Sequence, residues 1–190
     1  KWLLTSSVMD AEKEFDLVVL AIPAPQAKLI LSEDEDIRSE LENVKILPCL
    51  AAMLTFAEKV ETPYDTLSSR TDLLAWAARD SSKPDRNSDL ENWVLHGSPL
   101  WSARWLEADR ETIAERLMQA FASKIAKPLP KVIYIVGHKW RYAFTDKTLG
   151  REYLVSKDNT LFLGGDWCIG ARAECAFESG TAIANHITSF

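Results

Sequence analysis

The residues best placed to do chemistry lie in the last thirty positions. Leu161-Phe162-Leu163 is a short apolar run stopped by Gly164-Gly165, and Asp166 follows. Such a run reads as a buried strand, and a carboxylate just past a strand end sits where open α/β sheets take ligands. The glycine pair removes two Cβ atoms, so something bulky can approach the backbone. Beyond a short loop, Ala173, Ala176, Phe177, Gly180, Ile183, Ala184 and Ile187 recur at helical spacing. That face is mostly small and predicts close packing on a sheet or a cofactor. The N-terminus of such a helix presents free N–H groups to an anion or a carbonyl. Taken by pattern alone, Asp166 also fits a turn or cap residue. A second group is His96, which ends Trp93-Val94-Leu95-His96 before Gly97. A neutral imidazole there can make one hydrogen bond to a substrate group, or serve as a structural residue. No metal-ligand or Ser-His-Asp spacing occurs, and neither does G-x-G-x-x-G, a P-loop or G-x-S-x-G.

The elements that must position these groups are legible as patterns. Residues 15–22 are continuously aliphatic and predict a strand buried on both faces, of the parallel-sheet type, closed by Pro23 and Pro25. Residues 26–31 predict one or two helical turns, and 32–42 an acidic, solvated loop and short helix. Three further runs, 49–60, 73–79 and 93–96, predict strands, the last two antiparallel neighbours across the polar loop 80–88. Asp109 is set to cap a helix whose apolar stripe is Ile113, Leu117, Phe121 and Ile125, ended by Pro128 and Pro130. Residues 131–144 alternate with period two. One face carries Val132, Tyr134, Val136, His138, Trp140, Tyr142 and Phe144, and Trp on an apolar strand face is usually core. Residues 145–159 predict a polar linker.

Composition bounds the partners. The 190 residues are 47% hydrophobic and 26% charged, as in ordinary globular domains. A net charge of −6 argues against nucleic acid or an anionic membrane as the main partner. No apolar run approaches the roughly 20 residues of a membrane helix. Cys49, Cys168 and Cys175 are an odd set without zinc spacing, which predicts a reducing, cytoplasmic setting. The first residues do not read as a signal peptide, and a start on Lys1 reads as an excised piece.

Gly165-Asp166-Trp167, Arg172, Glu174, Ala176, Ser179 and Gly180 together resemble the C-terminal flavin-binding motif of the FAD-dependent amine oxidase superfamily, most closely its renalase-like branch. Cys175 departs from the glycine of many relatives. Asp16, Val18, Val19, Ala21 and Pro23 are similar to the strand that returns from that family's FAD domain. Residues 78–84, Trp93-Val94-Leu95-His96 with Ser98-Pro99 and Trp101-Ser102, and Lys139-Trp140-Arg141-Tyr142-Ala143 carry the rest of the resemblance. It covers nearly the whole chain and matches the C-terminal half of such an enzyme.

The resemblance implies an α+β fold: a mostly antiparallel substrate-domain sheet with covering helices, flanked by the last strand and helix of a Rossmann-type FAD domain. Residues 1–25 would be the returning strand, 26–150 the substrate domain and 151–190 the closing strand and helix. It implies non-covalent FAD bound at Gly165, Asp166, Arg172, Ala173 and Glu174. The backbone N–H groups of Ala173 and Glu174 would face the pyrimidine ring, where charge builds on reduction. His96 would orient substrate in a pocket shared with Arg79, Trp140 and Arg141. The intact protein would oxidise a small molecule, a dihydronicotinamide isomer before an amine, and pass the electrons to oxygen, giving peroxide. With the glycine-rich half of the site supplied by a missing N-terminal FAD domain, this piece alone would bind FAD weakly or not at all and be inactive. Its strand at 15–22 would offer an edge for dimerisation. A free-standing binding or interaction domain without catalysis is the other reading.

Overall fold

A computed structural model describes residues 1–6, 9–31, 35–69, 73–86 and 89–189. In chain order the elements are β1 (Trp2–Ser6), β2 (Met9–Phe15), β3 (Val18–Leu20), α1 (Ala24–Ile30), α2 (Glu35–Leu41), β4 (Lys45–Phe56), β5 (Thr66–Ser68), β6 (Leu74–Arg79), a 3₁₀ turn (Asp80–Ser82), β7 (Glu91–Gly97), α3 (Pro99–Arg104), α4 (Arg110–Ile125), β8 (Val132–Lys147), β9 (Leu154–Val155), β10 (Leu161–Leu163), α5 (Asp166–Ile169) and α6 (Ala173–Ile187). The fold is α+β, and its strand pairs are mostly antiparallel. The chain forms two compact units, residues 47–143 and residues 1–46 with 144–190.

The unit of residues 47–143 is built on a five-stranded sheet in the order β5-β6-β7-β4-β8. As the spacing predicts, β6 and β7 pair antiparallel, with Ala77 opposite Leu95 and Ala78 opposite Val94. One face of the sheet is the core. Leu50, Ala52, Leu54, Phe56, Ala77, Trp93 and Leu95 pack against Ile113, Leu117 and Phe121 of α4. The α4 stripe is therefore the predicted one, and Asp109 caps the helix by accepting from the Thr112 N–H at 2.6 Å. Ala126 at φ 54° ends it in a left-handed cap.

The strand read at 131–144 exists and runs further, to Lys147, but beyond Val132 its even-numbered face is not core. Trp140 is 55% exposed, and Tyr134 and Phe144 are similarly open. The reason is position: β8 is an edge strand, and the core it does enter is reached by Val132 and Ile135.

The other unit holds a three-stranded sheet in the order β3-β10-β9 and a β1–β2 hairpin that the sequence reading did not anticipate. β10 lies parallel to β3, with Leu161 opposite Val18, as the parallel-sheet reading of residues 15–22 predicts. The 15–22 run is less buried than its composition predicts. Phe15 ends β2, only Val18–Leu20 is strand, and Val19 is 43% exposed because β3 lies at the sheet edge. Part of the acidic 32–42 stretch forms α2, which buries Ile37 and Leu41 beside Leu161, Leu163 and Trp167; positions 32–34 lie outside the described residues.

The closing helix is rotated from its expected pose. α6 buries Cys175, Ser179 and Ile183, while Ala173, Ala176, Gly180 and Ala184 are exposed and Phe177 is 76% exposed. Ser179 and Cys175 at i, i+4 spacing pack as well as the alanines would, and polar burial is possible because the Ser179 hydroxyl has a backbone partner.

Candidate functional sites: a Gly-Asp-Trp turn and an open sheet face

The first site is the turn after β10. Gly164 donates its N–H to the Leu20 carbonyl at 3.2 Å, extending the parallel pairing by one residue. A Cβ on Gly164 would lie 2.6 Å from Ile183 Cδ1 and 2.7 Å from Ser179 Oγ. Gly165 has φ 157° and ψ 179°, a conformation restricted essentially to glycine, and a Cβ there would meet the Trp167 indole at 2.7 Å. Both glycines thus already serve packing within the chain. The Gly165 N–H donates to Ser179 Oγ at 3.1 Å, and the buried Trp167 indole donates to the Ile22 carbonyl at 3.1 Å.

Asp166 opens α5. Its main-chain carbonyl accepts from Gly170 N–H at 2.8 Å, and Oδ2 accepts from the Thr145 hydroxyl at 3.4 Å. Among the described residues, Oδ1 accepts no hydrogen bond from protein. Extended backbone through Gly170 and Arg172 leads to α6. Arg172 is the N-cap residue and makes no side-chain cap bond, and Ala173 and Glu174 are exposed in the first turn. The carboxylate of Glu174 suits the helix dipole there. Arg172 reaches Cys175 Sγ at 3.8 Å. Burial pushes the Cys168 thiol up to about 11, so it stays protonated at neutral pH. The structure therefore brings Gly165, Asp166, Arg172, Ala173 and Glu174 into one turn–loop–helix segment. The free Oδ1 and the uncapped helix start fit a group with a hydroxyl donor and an electron-rich carbonyl.

The second site is the sheet face turned away from α4. Strand alternation puts Ala51, Met53, Trp76, Ala78, Val94 and His96 there, since their neighbours Ala52, Leu54, Ala77 and Leu95 fill the core. His96 lies opposite both Ala51 and Trp76, and its ring sits 4.9 Å from the Trp76 ring at a 37° tilt. It is half-buried, and loss of water around it lowers its pKa from the ordinary imidazole value, keeping it neutral at pH 7. On β8, a Cβ at Gly137 would run into the Arg110 carbonyl, so Gly137 faces the start of α4. Its neighbour His138 and then Trp140 therefore face the open side, with rings 4.4 Å apart. Cys49 shares this side, and its thiol is held protonated by burial.

Arg79 and Arg141 are placed elsewhere. Arg141 alternates onto the side of Gly137 and pairs with Glu107 at 2.9 Å. Arg79 lies opposite Trp93, on the core side. Its guanidinium donates to the carbonyls of Val60 at 3.1 Å and Thr62 at 3.4 Å and pairs with Asp65 at 3.3 Å. Its Nε is 3.1 Å from Glu91 Oε1, but the N–H is not aligned for a hydrogen bond. Glu91 in turn accepts from the Val60 N–H, the Trp93 indole and the Ser81 hydroxyl. That is a buried clamp on the connection after β4 and on the 3₁₀ turn. Sequence reasoning had no signal for Glu91, whose burial against Arg79 depends on register. Trp76 was legible in principle, since pairing 73–79 with 93–96 sets it beside His96.

The chain belongs to the flavin containing amine oxidoreductase family, whose model matches residues 2–188. Similar folds are a protein provisionally assigned as a protoporphyrinogen oxidase from Exiguobacterium sp. 255-15 (15% identity, TM-score 0.74, 94% of this chain and 42% of that one), an oxidoreductase from Methanosarcina mazei (12%, 0.64, 93% and 44%) and the cyclohexylamine oxidase of Brevibacterium oxydans IH-35A (12%, 0.65, 95% and 45%). The chain thus spans less than half the length of each. The family is one of flavin-containing oxidoreductases. Among the described residues no helix is long and apolar enough to cross a membrane.

Proposed function

We propose that this chain is the C-terminal part of a renalase-like FAD-dependent oxidoreductase that oxidises a dihydronicotinamide isomer with oxygen as acceptor. Asp166 would hold a ribityl hydroxyl on Oδ1, and the N–H groups of Ala173 and Glu174 with Arg172 would offset negative charge on the flavin ring. When bound, FAD would supply the hydride acceptor and the route of electrons to oxygen. The observation that carries the substrate reading is His96, neutral and with its ring tilted against that of Trp76 on the open sheet face. A neutral imidazole suits orientation of a carboxamide rather than removal of a proton, and a dihydronicotinamide needs no base before it gives up hydride. Trp140 adds a flat apolar surface on the same side. Arg79 and Arg141 are left to their ion pairs. An amine substrate is the second choice within the same family.

The test uses the full-length protein and anaerobic stopped-flow reduction with dihydronicotinamide isomers and with primary amines. Reduction by the former is expected, and His96→Ala should slow it by roughly ten- to a hundredfold with flavin content unchanged. Reduction by amines alone overturns the substrate. A lower melting temperature with a normal reduction rate returns His96 to a structural role.

A further inference from the structure

We propose that Thr145 is a positioning residue for the Asp166 carboxylate, fixing which of its oxygens is left for the cofactor. The inference rests on the flavin-binding reading of Asp166 given above and adds a residue that neither the sequence pattern nor the family match singled out.

The backbone around Asp166 is fixed from both sides. Cys168 N–H donates to the Gly165 carbonyl at 3.1 Å and Gly170 N–H to the Asp166 carbonyl at 2.8 Å. From the neighbouring segment, Leu149 N–H reaches the Trp167 carbonyl and Gly150 N–H the Cys168 carbonyl, each at 3.0 Å. What these bonds do not fix is the pair of side-chain torsions that aim the carboxylate. Only one described side chain reaches it. Thr145, two residues before the end of β8, is 6% exposed and places its hydroxyl 3.4 Å from Oδ2. A β-branched side chain in a strand has few χ1 choices, so its hydroxyl is a donor whose position is set by the backbone. A buried hydroxyl also needs a partner, so Thr145 and Asp166 hold each other. With Oδ2 taken, Oδ1 is the oxygen presented to a ligand hydroxyl. Holding the carboxylate in one rotamer before binding removes an ordering cost from the bound state.

The experiment measures FAD dissociation constants and apoprotein melting temperatures for the full-length protein, with T145V, T145S, D166N and the double variant T145V/D166N. Valine keeps the volume and branching of threonine and removes the donor. T145V should weaken FAD by roughly three- to tenfold, with melting nearly unchanged. T145S should restore affinity to within about twofold, because the hydroxyl returns. In the D166N background T145V should add little, since the two act as one unit. Equal weakening by T145V in both backgrounds shows that Thr145 acts apart from Asp166 and overturns the proposal, as does an unchanged constant in T145V. A drop in melting temperature for T145V without loss of affinity assigns Thr145 to packing alone and overturns it too. If D166N itself leaves FAD affinity unchanged, the flavin reading of Asp166 fails and takes this inference with it. The first three failures leave that reading standing.

Discussion

The Gly-Asp-Trp turn and the sheet face around His96 are built by opposite means. The turn is over-determined at the backbone: glycine conformations, main-chain hydrogen bonds and the buried Ser179 hydroxyl leave one path for the chain. On the open sheet face the side chains have fewer ties among the described residues, chiefly Thr55 donating to Asn92 Oδ1 at 2.8 Å. The residues of this face are brought together by strand register, and apart from the buried Ala51 and Ala78 their side chains are partly exposed. A site of the first kind changes only if its fold changes. A site of the second kind can be rewritten residue by residue while the face behind it holds the sheet.

That contrast can be broken first from behind the sheet. Phe121→Ala empties the contact of α4 with Phe56 and Trp93, whose rings lie 6.4 and 4.8 Å away. A loss of about 3–5 kcal/mol in urea unfolding is expected, large enough to disturb the His96 face without touching it. A loss near zero would show that the sheet does not depend on that core. The next effect lies in the turn. Gly165→Ala forces a Cβ toward the Trp167 indole in a conformation alanine avoids, and should cost about 1–3 kcal/mol. Hydrogen exchange of the Gly165 and Cys168 amides reads it, and unaltered protection would show that the turn is looser than its bonds imply.

The smallest effect is one of pH, and it separates the two regions. His96 has a folded pKa below its unfolded value, so in the interval between them the unfolded chain binds more protons. Stability therefore falls as pH drops through the ordinary imidazole range near about 6.5, and levels off below the folded pKa. His96→Gln should flatten this part of the stability–pH curve. The same slope in the variant would place its origin elsewhere in the chain.

The sequence by itself determined the elements that depend on local chemistry. The cap at Asp109, the stripe of α4 and the β6–β7 pairing follow from residue types at fixed spacing, and the structure has them. The strand–Gly-Gly-Asp–helix order was also legible, because a carboxylate after a glycine pair at a strand end marks itself. What only the tertiary structure decided was which face of each element meets another. The small residues of the face predicted for α6 lie open, although its Ile183 is buried, because Ser179, a poor candidate for burial by type, finds the Gly165 N–H and takes an inner position. The aromatic face of β8 lies open because nothing in a period-two pattern says whether a strand is central or at an edge. Arg79 resembled a pocket residue in sequence, yet register set it opposite Trp93 and beside Glu91. Spacing fixes which residues share a face; burial depends on partners that come from far along the chain, and those are set by packing.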